Sequence, residues 1–365
     1  MASVRALMSP ARRYLAAVIL AVLLVPSMGM LVAPRQTRSV MERRMLAPAP
    51  ASPRTLADWT ALPRRIDAYL NDHFAWREPL VRASLLAQAK AGLKPAAGIN
   101  VVQGKDGWLL LQPGLLGATG GETSLREAGR YAAFVCDLDR TVRGRGAVFL
   151  FAPAPGPAEI YPEVVPDWVP RGAPTQPERV LAAARACGVQ PLDLRPAMLA
   201  AKGGEPLYQR HDSHWTNAGA LAAFNGMAAA LGQPWAIAPA AMGWKPAPAR
   251  DSDLVRLSGA QGLQPELIPE PPEGPDSRPE TGGLTDLAHG IYPPAFLVPG
   301  RAAHPVVLIV GDSYTSDFMA QYFRRAGVTL AWIHQAQCRF DRRVFDRVRP
   351  DMVVLMPASR EETCR

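Results

Sequence analysis

The feature that most constrains the fold is a set of short apolar runs, each bounded by turn residues and separated from the next by a stretch with helical spacing. The runs are Trp108 to Leu111, Ala147 to Ala152, Val189 to Leu194, Val306 to Val310, Val328 to Ile333 and Met352 to Met356. Because they are continuous and not alternating, they read as strands buried on both faces, the pattern of a parallel sheet covered by helices. The intervening helices carry end signals: Ser124 as N-cap before Leu125 to Val142, Gly188 closing Glu178 to Cys187, and a helix from about Asn217 to Leu231. The expected architecture is a three-layer α/β/α sandwich with a mainly parallel sheet. Between Pro234 and Pro294 twelve prolines interrupt any regular periodicity, so this segment reads as an insertion or surface loop system.

From Tyr14 to Ala33 the chain is uncharged and mainly apolar. As a helix this stretch is ~30 Å long, one hydrocarbon core. A cleavable signal has a shorter apolar region, and the candidate small-residue site Leu31-Val-Ala33 runs straight into Pro34, so the segment reads as an uncleaved anchor. The basic tail 1–13, with Arg5, Arg12 and Arg13, is then cytoplasmic. Residues 34–55, rich in Pro, Arg and Ala, form a linker, and a folded domain from 56 to 365 lies in the periplasm of a bacterium, tethered to the inner membrane. It opens with a helical entry segment from Leu56 to about Leu93.

The net charge of +8 invites a nucleic-acid reading, but residues 1–65 hold ten arginines against Glu42 and Asp58. The remaining residues balance, without the basic stripe that duplex binding needs, and nucleic acid is excluded as a partner. Four cysteines, Cys136, Cys187, Cys338 and Cys364, suit an oxidising compartment as disulfides or a core as buried thiols. Their pairing stays open. No C-x-x-C spacing points to zinc or thioredoxin-like chemistry, and no cofactor is implied.

Acyl chemistry needs an oxygen nucleophile, a base, and a group that fixes the base's tautomer. Ser313 is the candidate nucleophile: the apolar run ending at Gly311 turns through Asp312 into a helical stretch near Thr315, which exposes a side chain at the C-terminal end of a strand. Its own N–H, with amides of the following helix, is a candidate oxyanion site. Asp212 and His214 lie two apart before the helix at Asn217, and in extended backbone both point to one face. His211 is the rival base, but it faces away from Asp212 in such a strand. A metal set of His211, His214 and Asp212 lacks a further ligand.

In order along the chain, Asn71-Asp-His-Phe-Ala-Trp-Arg77, Gly104-Lys-Asp-Gly-Trp-Leu109, Ile160-Tyr-Pro-Glu163, Asp212-Ser-His-Trp215 and Gly311-Asp-Ser-Tyr314 resemble motifs of the alginate O-acetyltransferase family of AlgJ and AlgX, over about residues 62–357. Their SGNH-like domain carries the Asp-x-His-Trp element before the Gly-Asp-Ser element. The resemblance implies Ser313 as nucleophile, His214 as general base and acid, and Asp212 as its orienting carboxylate. It also implies a secreted polysaccharide as acceptor and a membrane-bound O-acyltransferase partner as the source of acetyl. Ser213 stands where the family usually has threonine, and Ala154-Pro-Gly-Pro157 lacks the lysine often found there. Tyr314 and Trp215 are further candidates for lining the substrate side, with Trp215 equally readable as a core residue, while His73 and Trp76 read as packing residues and Lys105-Asp-Gly-Trp108 as a tight turn. The same residues also fit an esterase that removes acetyl groups, and a degenerate domain of this kind fits an anchored polysaccharide-binding scaffold.

Overall fold

The computed structural model describes residues 14–15, 38–39, 44–74, 101–120, 125–238, 243–258, 263–270, 283–287, 292–301 and 305–364. Among them no helix is long and apolar enough to cross a membrane. Apart from Tyr14 and Leu15, the segment expected to span the bilayer lies outside the described residues, as do Trp76, Ser124 and the expected continuation of the entry helix to Leu93. The chain divides into two compact units, 1–95 with 256–260, and 96–255 with 261–365.

In the first unit, helix α1 runs over Leu56–His73 and starts at a capping box: the Thr55 hydroxyl accepts from the Asp58 N–H while the Asp58 carboxylate takes the Thr55 N–H. At its end, His73 Nε2 lies 3.0 Å from the Ala47 carbonyl, and the Asp72 carboxylate accepts from the Ala47 N–H at 2.7 Å, which ties the helix to the segment before it. Within the segment read as a linker, residues Arg38–Ser39 and Arg44–Met45 pair as a short antiparallel ribbon.

The second unit is built around one sheet. Its main elements, in chain order, are β1 Val101–Gln103, β2 Leu109–Leu111, α2 Leu125–Arg143, β3 Val148–Phe151, α3 Gln176–Ala186, α4 Asn217–Ala230, β4 Gly243–Ala247, α5 Asp253–Ser258 (of which residues 256–258 are counted with the first unit), β5 Glu266–Glu270, β6 Phe296–Val298, β7 Val306–Gly311, α6 Ser313–Ser316, β8 Thr329–His334 and β9 Met352–Met356, with further helices over Gln112–Thr119, Arg195–Ala201 and Ala320–Ala326 and shorter turns between. The sheet order is β3-β9-β7-β8-β6; the first four strands are parallel and β6 closes one edge antiparallel to β8. Side chains alternate between two apolar layers. Leu150, Val307, Ile309, Leu330, Trp332 and Val354 pack with Phe224 and Met227 of α4, whereas Phe149, Phe151, Leu308, Val310, Val353 and Leu355 pack with Tyr131, Val135 and Leu138 of α2. A sheet buried on both faces has no solvated side, which is why its strands read as unbroken apolar runs. The result is the α/β sandwich expected, with a mixed and mostly parallel sheet.

Two expectations need correcting. Val189 to Leu194 is not a strand: Pro191 brings no N–H to a ladder, and one bond, from the Leu192 N–H to the Phe151 carbonyl at 2.8 Å, is what reaches β3. The Trp108 to Leu111 run forms β2, but it pairs antiparallel with β1 in a separate hairpin, turned by Asp106 and Gly107 at positive φ. The proline-rich segment, read as an insertion or surface loop system, holds in its described part the ribbon β4–β5 and the short helix α5, whose first residue, Asp253, is buried.

The cysteines form two disulfides, Cys136–Cys187 and Cys338–Cys364. The first links α2 to the end of α3 across a sequence separation of 51 residues. Replacing both its cysteines by serine is expected to cost about 2–4 kcal/mol of stability through a less constrained unfolded chain. Chemical denaturation of variant and parent under oxidising conditions checks this, and equal stabilities would contradict it.

Candidate active site

Strand β7 delivers Ser313 to the C-terminal edge of the sheet. Gly311 is required there, since a Cβ at this position would run into the Thr315 hydroxyl, which is itself held by the Asp312 carbonyl at 3.0 Å and the Trp332 indole N–H at 2.8 Å. Asp312 shapes the turn: one carboxylate oxygen accepts from the Tyr314 N–H at 3.0 Å, the other from the Ala358 N–H at 2.7 Å, and its carbonyl takes the N–H groups of Thr315 and Ser316. The amides of residues 314 to 316 are thereby used within the elbow, which leaves the Ser313 N–H outside this set.

The second half of the site is a loop closed by Tyr208 and Trp215, which form an antiparallel bridge, and capped onto α4 by Thr216, whose hydroxyl accepts from the Gly219 N–H. Two of the other sequence motifs brace it. The Tyr161 hydroxyl accepts from the Leu207 N–H at 3.2 Å, and the Leu109 N–H donates to the Arg210 carbonyl at 2.8 Å. The backbone is bent where an extended strand was expected, and Asp212 reaches His214 by folding over: Asp212 Oδ1 accepts from the His214 N–H at 3.2 Å and lies 2.6 Å from His214 Nδ1.

Loop and elbow meet. His214 Nε2 is 2.7 Å from Ser313 Oγ, so Asp212, His214 and Ser313 form one continuous hydrogen-bonded line between residues 99 apart in sequence. A carboxylate can only accept, which puts a proton on Nδ1 and a lone pair on Nε2 facing the serine hydroxyl. Two further bonds fix the register: the Trp215 indole N–H donates to the Tyr314 carbonyl at 2.9 Å, and the Tyr314 hydroxyl donates to the Ser213 carbonyl at 2.6 Å. Phe318 stacks along the imidazole with ring centroids 6.1 Å apart.

His211, the rival base, is engaged with the Gly107 backbone instead, and burial followed by the Arg210 charge lowers its pKa. Trp215 and Tyr314, candidates for the substrate side, are both fully buried with their polar atoms committed to the scaffold, so Trp215 takes the core position that was its other reading and Tyr314 does not line a substrate surface. Two residues went unnoticed in the sequence. Asp253, from α5, donates its N–H to Asp212 Oδ2 at 2.7 Å and accepts from the Ser213 N–H and hydroxyl at 2.7 and 2.6 Å. Arg360 donates to the Ser213 carbonyl at 2.9 Å, the Tyr314 hydroxyl at 3.0 Å and the Ser213 hydroxyl at 3.2 Å. Neither sits in a motif, and an arginine in a chain so rich in them carries no signal.

Burial alone would raise the pKa of Asp212, but the hydrogen bond and charge of His214, together with the Asp253 N–H, hold it down to about 2. Asp312, wholly enclosed, is pushed up by burial against the opposing pull of Arg360. Asp212, His214 and Asp253 present ligand-type atoms within 4.8 Å of one another. All four carboxylate oxygens already accept N–H or O–H donors, an arrangement suited to holding an imidazole. Because the folded pKa of Asp212 is depressed, its contribution to stability is complete above the ordinary value of 3.8 and is lost as pH falls through about 2. Asp212→Asn is therefore expected to remove part of the acid-induced loss of stability across that window. Denaturant titrations of both proteins check it, and identical pH dependence would contradict it.

The model for the SGNH hydrolase-like domain of acetyltransferase AlgX matches residues 101–326, well over half the chain. A probable alginate O-acetylase, AlgJ of Pseudomonas aeruginosa, is 31% identical over 122 residues, which span 33% of this chain and 30% of that protein. Among solved structures, the O-acetyltransferase domain of Pseudomonas putida AlgJ superposes with a TM-score of 0.51 at 19% identity, covering 72% of this chain and 92% of that one. PatB1 of Bacillus cereus gives 0.51 at 16% identity, with 73% and 97% covered. These two superpositions speak for the fold.

Proposed function

Since the chain belongs to the family of acetyltransferases with the AlgX type of SGNH hydrolase-like domain, we propose that it moves acetyl groups onto hydroxyls of a secreted polysaccharide, alginate or a similar polymer, through an acetyl-serine at Ser313. The observation that carries this reading is the unbroken line from Asp212 through His214 to Ser313.

Ser313 Oγ attacks the carbonyl carbon of an acetyl donor while His214 Nε2 takes its proton, and Asp212 balances the imidazolium that results. The Ser313 N–H serves as an oxyanion donor. His214 returns the proton to the departing group, leaving acetyl on Ser313. A sugar hydroxyl then gives its proton to His214 and attacks the ester, and Ser313 leaves as it regains a proton. The Tyr14 to Ala33 segment and the two disulfides support a periplasmic domain held on the inner membrane by one N-terminal helix. A donor made in the cytoplasm then has to be carried across, the role of a membrane-bound O-acyltransferase partner.

Ser313→Ala is expected to reduce acetyl transfer by ~10³-fold or more without loss of folding. The check follows acetyl from an activated ester in the presence and absence of alginate oligosaccharides. Acetylated sugar that depends on Ser313 supports transfer, acetate alone in both conditions replaces it with an esterase, and activity retained by the variant removes Ser313 from the chemistry.

A further inference from the structure

The imidazole of His214 faces two carboxylates, and only one of them is accounted for by the line to Ser313. Asp253 Oδ2 lies 3.9 Å from His214 Nδ1, beyond hydrogen-bonding reach but within strong Coulombic range. Its side chain is 4% exposed, so solvent screens this charge little. The connection is also mechanical: Asp253 grips Asp212 through its own N–H and Ser213 through both carboxylate oxygens, holding the residues on either side of the turn that aims the ring.

We propose that Asp253 is a positioning residue for the acyl transfer, a second carboxylate that holds the His214–Asp212 turn in place and stabilises the imidazolium form of His214 through space. This rests on the reading of His214 as the base. The charges around the ring are unequal in reach. Asp212 bonds it directly, with Glu266 behind Asp212 through space. From the elbow come the buried Asp312 and the Tyr314 hydroxyl, and from the segment after β9 comes the Arg360 guanidinium, bonded to Ser213 and Tyr314. Arg360 offsets part of this concentration of carboxylates. In this arrangement the proton that leaves Ser313 arrives on a ring faced by two carboxylates.

Removing the Asp253 charge makes the imidazolium less favourable. A base must be neutral to act, so the acid limb of the rate profile moves to lower pH. In the full chain, Asp253→Asn removes the charge, keeps one acceptor oxygen for Ser213 and turns the other contact into a donor; the midpoint of His214 protonation followed by NMR is expected to move to lower pH. Ser213→Ala is the companion, because it loosens the same clamp while leaving the Asp253 charge in place, and it is expected not to lower that midpoint. The proposal is overturned if Asp253→Asn leaves the midpoint unchanged, or if Ser213→Ala lowers it equally, since the effect is then structural and not electrostatic. The pH dependence of p-nitrophenyl acetate turnover by the same proteins gives the second reading: its acid limb should follow the NMR value in Asp253→Asn, and a limb that stays in place overturns the proposal. Absence of turnover in the parent enzyme counts against the acyl-serine reading alone, because the NMR titration decides the role of Asp253 without it.

Discussion

The geometry of the site depends on two hydrogen bonds that run in opposite directions between the histidine loop and the serine elbow. Trp215 gives its indole N–H to the Tyr314 carbonyl, and Tyr314 gives its hydroxyl to the Ser213 carbonyl. Both side chains are wholly enclosed, so each bond forms in a low-dielectric setting where leaving either partner unmatched costs about 1–3 kcal/mol. Together they allow one placement of the loop, and that placement puts His214 Nε2 against Ser313 Oγ. The reactive contact is thus a consequence of how the aromatic pair packs over the end of β7, with ring centroids 4.9 Å apart.

Around this pair the rest of the unit acts as bracing. The hairpin β1–β2 reaches the loop through the Leu109 N–H, Tyr161 holds its base, and the chain after β9 continues along β3 through the Ala154–Ala358 bridge before presenting Arg360. The Cys338–Cys364 disulfide fastens that last segment to the turn after β8. Sequence motifs that resembled a family only as strings therefore have a shared physical purpose: three of them converge on the loop between Tyr208 and Trp215. Fixing donors and charges before substrate arrives is what makes electrostatic stabilisation effective, since no reorganisation is needed during the reaction.

Much of this was legible in the sequence, and the exceptions have physical causes. Continuous apolar runs identified four of the five strands of the sheet, because burial on both faces leaves no polar positions to blur the pattern. The fifth, β6, is a three-residue edge strand next to the proline-rich segment, too short to show a period. Val189 to Leu194 had the composition of a strand but a proline where the ladder needs a donor. Ser313, His214 and Asp212 were visible because a strand-to-helix turn and an Asp-x-His pair have local signatures. Asp253 and Arg360 have none: their roles come from tertiary contacts across 40 and 147 residues to Ser213. Trp215 was readable either as a sugar-site or as a core residue and Tyr314 as a site residue, since an aromatic next to a reactive group looks the same in sequence whether it faces solvent or core.

The central claim is that acetyl passes through a covalent ester on the serine at the end of β7. Its most direct test is mass spectrometry of the protein quenched in acid during turnover of an acetyl ester, with the peptides mapped. The account predicts an acetyl group on the peptide carrying Ser313, which disappears when a sugar acceptor is added before the quench. Acetylated sugar formed while that peptide is never modified would contradict it.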